Sequence, residues 1–397
     1  MTEFLITTFW LGLAVLVYVY GGFSVLLALV AKIVNRRVVQ KEITPRVSVI
    51  IAAYNEQQSI AEKLENVLSL DYPSEMLEVI VASDGSDDQT ATIVAGFECR
   101  RVQLLDLPRQ GKIFAIDAAV KRASGEILVF SDANTIFLPQ ALRMLVRNFA
   151  DPSVGGVCGN QKHLPPDKSD NSSEGEHLYW AYDKWLKTRE SLTGSIVSAD
   201  GAIYAIRTRL YEMPARTDVT DDFAISTGVI EKGYRLVFEN DALAHEKASV
   251  KAADEFNRKV RIMNRGLRSV LLRKKLLNPF KYGFYSIVLF THKVLRRMVP
   301  FVLLWLLLAN FILAAQSSFF VALAMLQVLF YALAMFGYLF RDTRLGKFKI
   351  FYIPFFYCLA NCAALIAITR LLRGKRIELW QPHRETLEGT LVESEML

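Results

Sequence analysis

The turn at residues 132–135 carries the side chains with the clearest potential for chemistry. Asp132 and Asn134 follow residues 125–129, an apolar run typical of a strand buried in a parallel sheet. In open α/β sheets, ligands bind just beyond the carboxyl ends of the strands. A carboxylate and an amide oxygen one residue apart can share a hard cation such as Mg²⁺ or Mn²⁺, which could in turn hold a diphosphate. The sequence therefore predicts metal ligands at Asp132 and Asn134, with a helix N-cap as the alternative for Asn134.

Three earlier segments have the composition of buried strands and would position further polar residues at the same edge. They are residues 47–53, 77–82 and 102–105, and each is followed by a turn and a helical pattern. This alternation predicts an α/β fold with an open, mostly parallel sheet and helices on both faces. We expect the converging strand ends to form one crevice, the alternative being that their polar residues only make turns. The side chains concerned are Tyr54, Glu56, Asp84 and Lys112.

Apolar residues are concentrated in blocks outside this α/β region. Of the 397 residues, 52% are hydrophobic, and residues 4–30, 298–340 and 350–369 are almost free of charge. These lengths predict one N-terminal and about three C-terminal α-helical membrane segments. Five regions follow: an N-terminal membrane helix with a basic flank (1–40), a globular domain (41–276), an interfacial amphipathic helix (277–297), membrane helices (298–376) and a polar tail (377–397).

Basic residues beside the apolar blocks predict how the chain is oriented. Lys32, Arg36, Arg37 and Lys41 follow the first block, so the positive-inside rule puts the globular domain in the cytoplasm, as part of a multi-pass protein of the cytoplasmic (inner) membrane. The tail lies outside if the last block crosses the bilayer, and inside if that block re-enters or lies at the surface. The net charge of +7 indicates contact with anionic membrane lipids. Nucleic acid is excluded as a partner because no basic stripe is interleaved with aromatic residues.

An ordered set of five short motifs connects the sequence to a known family. The motifs are Ala53-Tyr54-Asn55-Glu56, Ser83-Asp84-Gly85-Ser86, Arg109-Gln110-Gly111-Lys112, Asp132-Ala133-Asn134 and Thr220-Asp221-Asp222. In these the chain resembles the inverting family 2 glycosyltransferases, and among them the membrane-embedded processive synthases of cellulose, hyaluronan, chitin oligosaccharides and poly-N-acetylglucosamine. No single motif is specific, whereas the ordered set is, and it extends over about residues 47–265 with a looser match at residues 258–261.

This resemblance implies a GT-A type domain that binds a nucleotide-sugar. It assigns Tyr54, Glu56 and Asp84 to the nucleoside, and Lys112 to the base or the diphosphate. Asp132 would contact the nucleotide-sugar and bind a divalent metal, Mg²⁺ or Mn²⁺. The family's usual second acid of the metal motif is replaced by Asn134, whose neutral amide binds a hard cation more weakly.

The resemblance also implies a catalytic base at Asp222, with Asp221 as the second candidate. Inverting transfer requires a base to deprotonate an acceptor hydroxyl while that hydroxyl attacks the sugar from the face opposite the leaving diphosphate. The usual Thr-Glu-Asp of the family is Thr220-Asp221-Asp222 here. A carboxylate before the apolar residues 223–230 would also stabilise a helix N-terminus, which is the alternative interpretation.

On the acceptor side, Asp200 and Gly201 lie in a segment that resembles the acceptor-binding region of the family. The aromatic run at residues 178–185 precedes it, and Trp185 is predicted either to contact a sugar or to pack in the core.

Two arginines are predicted to stabilise the leaving diphosphate. Arg258 and Arg261 are three residues apart, on one face of a basic helical run, and guanidinium groups bind phosphates in a bidentate manner. The family's tryptophan in this motif is Ile262 here. The remaining basic residues of the run are predicted to face lipid head groups, namely Arg265, Arg268 and Arg273.

These inferences together predict a membrane-bound hexosyltransferase. It would transfer a sugar from a UDP-linked donor, with inversion, to a growing polysaccharide or oligosaccharide, and accessory export subunits could act with it. The alternative is transfer of a single sugar to a polyprenyl phosphate or another lipid-linked acceptor. A third interpretation, a catalytically silent nucleotide-sugar sensor, is motivated by Asn134 and by the missing tryptophan.

Overall fold

A computed structural model describes residues 2–97, 101–164, 173–247, 252–341, 343–346 and 348–374. Within these residues one sheet contains eight strands: β1 (Val47–Ala53), β2 (Leu77–Asp84), β3 (Val102–Leu107), β4 (Ile127–Ser131), β5 (Thr135–Phe137), β6 (Val154–Leu164), β7 (Tyr204–Arg207) and β8 (Arg235–Lys247). The α-helices are α1 (Thr2–Val17), α2 (Phe23–Val34), α3 (Ile60–Leu68), α4 (Thr90–Ala95), α5 (Lys112–Val120), α6 (Ala141–Val146), α7 (Ser173–Thr193), α8 (Asp221–Glu231), α9 (Ala252–Leu272), α10 (Pro279–Tyr282), α11 (Phe284–Phe290), α12 (Arg296–Ala314), α13 (Ser318–Leu339) and α14 (Lys349–Leu372).

The first four strands along the chain form a parallel half-sheet in the order β3-β2-β1-β4. Every residue of β1 is buried, as expected for a strand with helices on both faces. Val49 and Ile51 pack in the cluster that contains Leu64 of α3. Ile50 packs on the other face, in the cluster that contains Ile116 of α5. This half of the sheet confirms the fold predicted from the alternating strands and helices.

The second half of the sheet mixes both directions. The order continues as β7-β6-β8-β5, in which β7 is antiparallel to β4 and to β6, β6 is parallel to β8, and β5 is antiparallel to β8. Parallel neighbours need a long crossover connection, usually a helix, whereas antiparallel neighbours do not. The succession of helical crossovers that builds the first half of the sheet ends at β4, although β6 and β8 are again parallel. The consequence for the site is that β5 and β8 lie close to the turn that follows β4.

Among the described residues, four helical segments are long and apolar enough to cross a membrane. One lies at the N-terminus and three follow the globular domain, as the hydrophobic blocks predicted. They are Thr2–Val34, Phe284–Ala314, Ser318–Leu339 and Lys349–Leu372.

Two of these segments continue into the globular domain through a π-helical turn. Thr2–Val34 contains 33 residues, or about 50 Å of helix, which exceeds the roughly 30 Å of hydrocarbon in a bilayer. Beyond its π turn, Phe23 and Leu27 are buried in the core of the domain. The segment Phe284–Ala314 behaves in the same way, since Val288 and Leu289 of α11 are buried in that core while α12 packs against α1.

The helix α14 contacts both the other apolar helices and the globular domain. Phe351 packs against Phe336 of α13 with ring centroids 4.5 Å apart. Further along, Asn264 of α9 donates a hydrogen bond to the carbonyl of Ala367 at 2.9 Å. The domain limits at residues 40, 276, 297 and 376 stay a prediction, as does the side of the tail. Residues 377–397 lie outside the described part of the chain.

Candidate active site

Predicted site residues from three elements meet at the carboxyl ends of the parallel strands. Asp132 follows β4, Lys112 begins α5, and Asp221 begins α8. The Lys112 ammonium lies 2.8 Å from Asp132 Oδ1 and 3.1 Å from Asp221 Oδ2. Although burial opposes it, the two carboxylates raise the pKa of Lys112. One lysine therefore balances two carboxylates from distant parts of the sequence.

Asp222 differs from its neighbour Asp221 in its charge environment. Burial first and the adjacent Asp221 second raise the pKa of Asp222 from 3.8 to about 7. For Asp221 burial acts in the same direction, but Lys112 and Arg265 outweigh it and lower the pKa of that carboxyl. Asp222 Oδ1 accepts a hydrogen bond from the backbone N–H of Phe223 at 2.7 Å. A carboxylate with a pKa near neutrality suits a general base, so the geometry favours Asp222 over Asp221.

Asp84 organises the loop before α5. Its buried carboxylate accepts hydrogen bonds from the backbone N–H groups of Gln110 and Gly111 at 2.8 and 2.9 Å, and the Arg109 guanidinium lies 2.8 Å from it. Gly111 adopts φ +111°, which favours glycine. Asp84 thus holds the loop that presents Lys112, in addition to the nucleoside contact predicted for it.

The two other predicted nucleoside residues lie at the end of β1. The Arg109 guanidinium stacks on the ring of Tyr54, 3.3 Å from its centroid. Glu56 is buried, and its Oε2 accepts a hydrogen bond from the Ser59 hydroxyl at 2.8 Å. Arg109 belongs to one of the motifs that carry the family resemblance, but sequence reasoning gave it no role; its cationic side chain two residues before a glycine was the available signal.

Asn134 turns its amide toward the second half of the sheet. Its Nδ2 donates to Glu246 Oε1 of β8 at 3.1 Å, which leaves Oδ1 without a hydrogen bond. Asp132 uses Oδ1 for Lys112, and its Oδ2 faces Gly201. Among the described residues no group of three or more His, Cys, Asp or Glu side chains is arranged to hold a metal. The available oxygens nevertheless fit a cation that takes most of its ligands from water and a diphosphate.

Lys63 of α3 is fully buried and contacts the turn that carries Asp132 and Asn134. Its ammonium donates to the carbonyl of Thr135 at 2.6 Å and lies 3.7 Å from the centroid of the Phe137 ring. Burial lowers the pKa of Lys63 to about 7, and Asp132 opposes that change. Sequence reasoning missed Lys63, although its position between Ile60 and Val67 on the apolar stripe of α3 was a signal.

Gly201 lies between Asp132, the carboxylate predicted to contact the nucleotide-sugar, and Asp222, the candidate base. A Cβ built on Gly201 would lie 3.5 Å from Asp132 Oδ2 and 3.8 Å from Asp222 Oδ2. The structure therefore brings Gly201, Asp132 and Asp222 together, although the sequence assigned them to different tasks. Because Gly201 has no side chain, the space between the two carboxylates stays open.

The predicted acceptor residue Asp200 is held by a lysine that the sequence did not single out. Lys187 of α7 lies 2.5 Å from Asp200 Oδ2 and 2.6 Å from Asp183 Oδ2. Although burial opposes it, Asp200 contributes most to raising the pKa of Lys187 well above its usual value. Trp185 is half-buried and stacks with Tyr182, whose ring is 41% exposed, so Trp185 combines core packing with an accessible edge.

The basic helix α9 contains paired and unpaired arginines. Arg258 is exposed. Arg261 is partly buried and forms no hydrogen bond or ion pair with any described residue; burial first and the neighbouring Arg265 second lower its pKa. Because Arg261 lacks a partner among the described residues, it is a candidate to bind an anionic ligand.

The prediction that Arg265, Arg268 and Arg273 face lipid head groups is wrong. Arg265 donates to the Val219 carbonyl, while Arg268 and Arg273 are 4% and 8% exposed. Arg268 pairs with Asp218 at 3.0 Å and Arg273 with Glu231 at 2.7 Å. These side chains fix α9 to α8 and to the loop that carries Thr220-Asp221-Asp222. Charge periodicity alone could not reveal them, because their acidic partners lie some 40 to 50 residues away.

The sheet order and the crevice at its strand ends define a GT-A type glycosyltransferase fold. The mannosyltransferase PcManGT from Pyrobaculum calidifontis, solved in complex with GDP-Man and Mn²⁺, shares this fold with a TM-score of 0.70 and 24% identity over 93% of this chain and 100% of that chain. Residues 48–212 match the family model of Glycosyl transferase family 2. This chain therefore carries a family 2 glycosyltransferase domain, and the expected family and fold are confirmed.

Curated relatives resemble about half of the chain. The poly-beta-1,6-N-acetyl-D-glucosamine synthase of Staphylococcus epidermidis is 30% identical over 211 residues, which are 50% of this chain and 48% of that protein. The synthase of the same description from Staphylococcus aureus strain COL is 30% identical over 207 residues, 49% of this chain and 48% of that protein. The chain spans about half the length of the curated relatives it matches.

Proposed function

We propose that this protein is a membrane-bound, inverting hexosyltransferase that extends a glycan from a nucleotide-sugar, UDP-linked by resemblance. An acceptor hydroxyl attacks the anomeric carbon of the donor sugar. The new carbon–oxygen bond forms as the bond to the diphosphate breaks, the hydroxyl proton passes to a base, and the nucleoside diphosphate leaves. The observation that carries this proposal is Asp222, a carboxyl with a pKa of about 7 beside Asp132 in a family 2 glycosyltransferase domain.

Each proposed role follows from the charge of the side chain and from its neighbours. Asp222 deprotonates the acceptor, whereas Asp221 is neutralised by Lys112 and fixes that lysine. Lys112 attracts the donor diphosphate. The unpaired Arg261, with Arg258, stabilises the negative charge that develops on the leaving diphosphate.

The donor nucleoside is proposed to bind along the ends of β1 and β2. Tyr54 and Arg109 offer a stacked pair to the base, and Glu56 and Asp84 line the floor. The acceptor is proposed to approach over Asp200 and Gly201, with the accessible edge of Trp185 beside a sugar ring.

A divalent cation, Mg²⁺ or Mn²⁺, fits the oxygens at the end of β4. Asp132 Oδ2 and Asn134 Oδ1 form no hydrogen bond, and both belong to the turn above Lys63. When bound, such an ion neutralises diphosphate charge and makes the diphosphate a better leaving group. The Mn²⁺ bound by PcManGT supports the presence of a cation in this chain.

The apolar helices indicate a multi-pass membrane protein, and we propose that the catalytic domain lies on the cytoplasmic side of the cytoplasmic membrane. The basic residues after the first helix support this orientation. A growing glycan would then leave through or beside the membrane helices, where accessory export subunits could act.

Transfer of one sugar to a lipid-linked acceptor is the second candidate. It is favoured by two cations, Lys293 and Arg297, that lie where the domain meets the membrane helices and form no ion pair within the part of the chain that the structure describes. Purified protein should be incubated with a panel of nucleotide-sugars and scored by nucleoside diphosphate release and product mass. Polymer supports glycan extension, a single-sugar lipid supports the second candidate, and absence of release with every donor and acceptor would leave only a silent sensor.

A further inference from the structure

The junction between the catalytic domain and the membrane helices carries two cations that the proposed reaction does not use. Lys293 lies in the π turn Thr291–Leu295, and Arg297 lies one turn later at the start of α12. The Arg297 guanidinium donates to the carbonyl of Lys293 at 2.5 Å and packs against Gly266 of α9. The two side chains therefore belong to one local structure.

The packing on either side of this turn locates it at the membrane boundary. Toward the domain, His292 packs edge-on against the Phe23 ring, with centroids 5.0 Å apart. The Tyr18 and Thr291 hydroxyls lie 3.1 Å apart, which joins the two π turns at one level. Toward the other side, residues 298–315 carry no charge. Lipid head groups would lie at this level, and π turns frequently occur at functional sites.

Neither cation has an acidic partner within the described residues. Several other buried or half-buried cations of the domain are paired with a carboxylate, namely Lys112, Lys187, Arg268 and Arg273, while Lys63 donates to a backbone carbonyl. Lys293 forms no hydrogen bond through its ammonium, and Arg297 bonds only a backbone carbonyl. Asp222 and Asp200 act on Lys293 only through space, without a hydrogen bond or ion pair. A partly buried cation without a bonded counter-ion is unfavourable, so this pair is suited to an anion that binds from outside the chain.

This cation pair adjoins the reacting groups. The Lys293 ammonium lies 5.5 Å from the ring centroid of Phe223, the residue that follows Asp222. Its charge also acts directly on the Asp222 carboxyl. An anion bound here would lie on the membrane side of the candidate base, whereas Lys112 and Asp132 lie at the strand ends where the donor is proposed to bind.

We propose that Lys293 and Arg297 bind the phosphate of a membrane-anchored acceptor, either a lipid phosphate or a lipid diphosphate that carries a sugar. The assignment rests on the proposed transferase function and selects its lipid-linked form. Lysine and arginine together match phosphate oxygens with charge-assisted hydrogen bonds. The lipid chain would follow the apolar surface of α12 into the bilayer.

The test is direct binding of a polyprenyl phosphate to the full-length protein, measured by native mass spectrometry. Wild type should bind the polyprenyl phosphate at least about tenfold more tightly than the polyprenol that lacks the phosphate. Lys293→Gln and Arg297→Gln should each weaken this binding about ten- to a hundredfold, as expected when a charge-assisted hydrogen bond is lost. Arg296→Gln is the matched control, because Arg296 is adjacent but exposed, and it should bind as wild type does.

Three results would overturn the assignment. Equal binding of the polyprenol and its phosphate would exclude phosphate recognition. An equal loss in the Arg296→Gln control, or full competition by an anionic bilayer lipid, would indicate general head-group contact. A selective loss of nucleotide-sugar affinity in the Lys293→Gln variant would assign this charge to the donor. Nucleoside diphosphate release with other acceptors, measured in parallel, separates failure of this assignment from failure of the transferase function. Polyprenyl phosphate and its sugar-bearing diphosphate, supplied in turn, identify which acceptor is used.

Discussion

Replacing Asp222 by Asn should separate activity from stability. The substitution keeps the shape of the side chain but removes the base, and general-base catalysis contributes about 10²- to 10⁴-fold. We therefore expect turnover to fall by that factor while nucleotide-sugar affinity stays within a few fold of wild type. In the wild type, kcat/KM should rise about tenfold per pH unit below pH 7 and level off above it, because only deprotonated Asp222, with its pKa of about 7, accepts the proton.

The same substitution should not destabilise the fold. Raising the pKa of Asp222 from 3.8 to about 7 means that its charged form is disfavoured in the folded chain by at most about 4 kcal/mol. The folded state holds the proton more tightly than the unfolded state, so this stability is present below pH 3.8 and is lost as the pH rises through 7. The Asp222→Asn variant removes that loss, and its Tm at pH 8 should equal or exceed that of the wild type.

The Asp221→Asn variant tests whether the pH dependence of activity arises from Asp222. Asp221 is the second cause of the raised pKa of Asp222, after burial, so Asp221→Asn should move the acidic limb of the pH profile to lower pH. The assay is nucleoside diphosphate release by purified protein between pH 5 and 9. An Asp222→Asn variant that keeps near wild-type turnover would refute the reasoning, as would an unmoved acidic limb in Asp221→Asn.

Substitutions at three further positions test the surroundings of the base. Gly201→Val should reduce turnover about 100-fold by filling the space between the two carboxylates, whereas Gly201→Ala, whose Cβ makes ordinary contacts at 3.5 Å, should stay near wild type in the same assay. Asn134→Asp should lower the metal concentration for half-maximal activity about tenfold, since a carboxylate is the stronger ligand, and an unchanged metal titration would show that residue 134 is not a ligand. Arg273→Ala leaves Glu231 without its partner at 2.7 Å and should destabilise the domain by about 3 kcal/mol, a loss that thermal unfolding would show as a lower Tm; an unchanged Tm would mean that the pair contributes nothing.

The parallel half of the fold could be predicted because the pattern that defines each of its strands and helices lies within one short segment of the sequence. The strand β1 is recognisable in the sequence as a continuous, mostly apolar run, and all seven of its residues are buried in the structure. The helix α3 is recognisable by its apolar stripe. The direction of β6 to β8 could not be inferred, since it depends on pairings between residues far apart in the sequence, such as Cys158 with Tyr204, 46 residues later, and with Phe238, 80 residues later.

The candidate site was predictable as a set of positions, but its charge pairing was not. Asp132, Asp221 and Lys112 were each found from motifs, yet only the fold shows that one ammonium contacts both carboxylates. The arginines of α9 were misassigned for the same reason, because a basic helix that pairs inward has the same periodicity as one that faces lipid. Lys63 is the opposite case, because its position on the apolar stripe of α3 was a local sequence signal for its burial.

The pairing of Lys112 also favours Asp222, over the other carboxylates of the crevice, as the proposed base. Three carboxylates converge there with one lysine within bonding distance, and that lysine contacts Asp132 and Asp221. The pKa of the third, Asp222, is raised because this carboxyl is buried beside a negative charge and has no bonded cation of its own among the described residues. Without Lys112, Asp221 would also lose its counter-ion and both aspartates would compete for the proton. In the proposed reaction, the lysine that attracts the donor would thereby also determine which carboxylate accepts the proton, and this would couple donor binding to the charge state of the base.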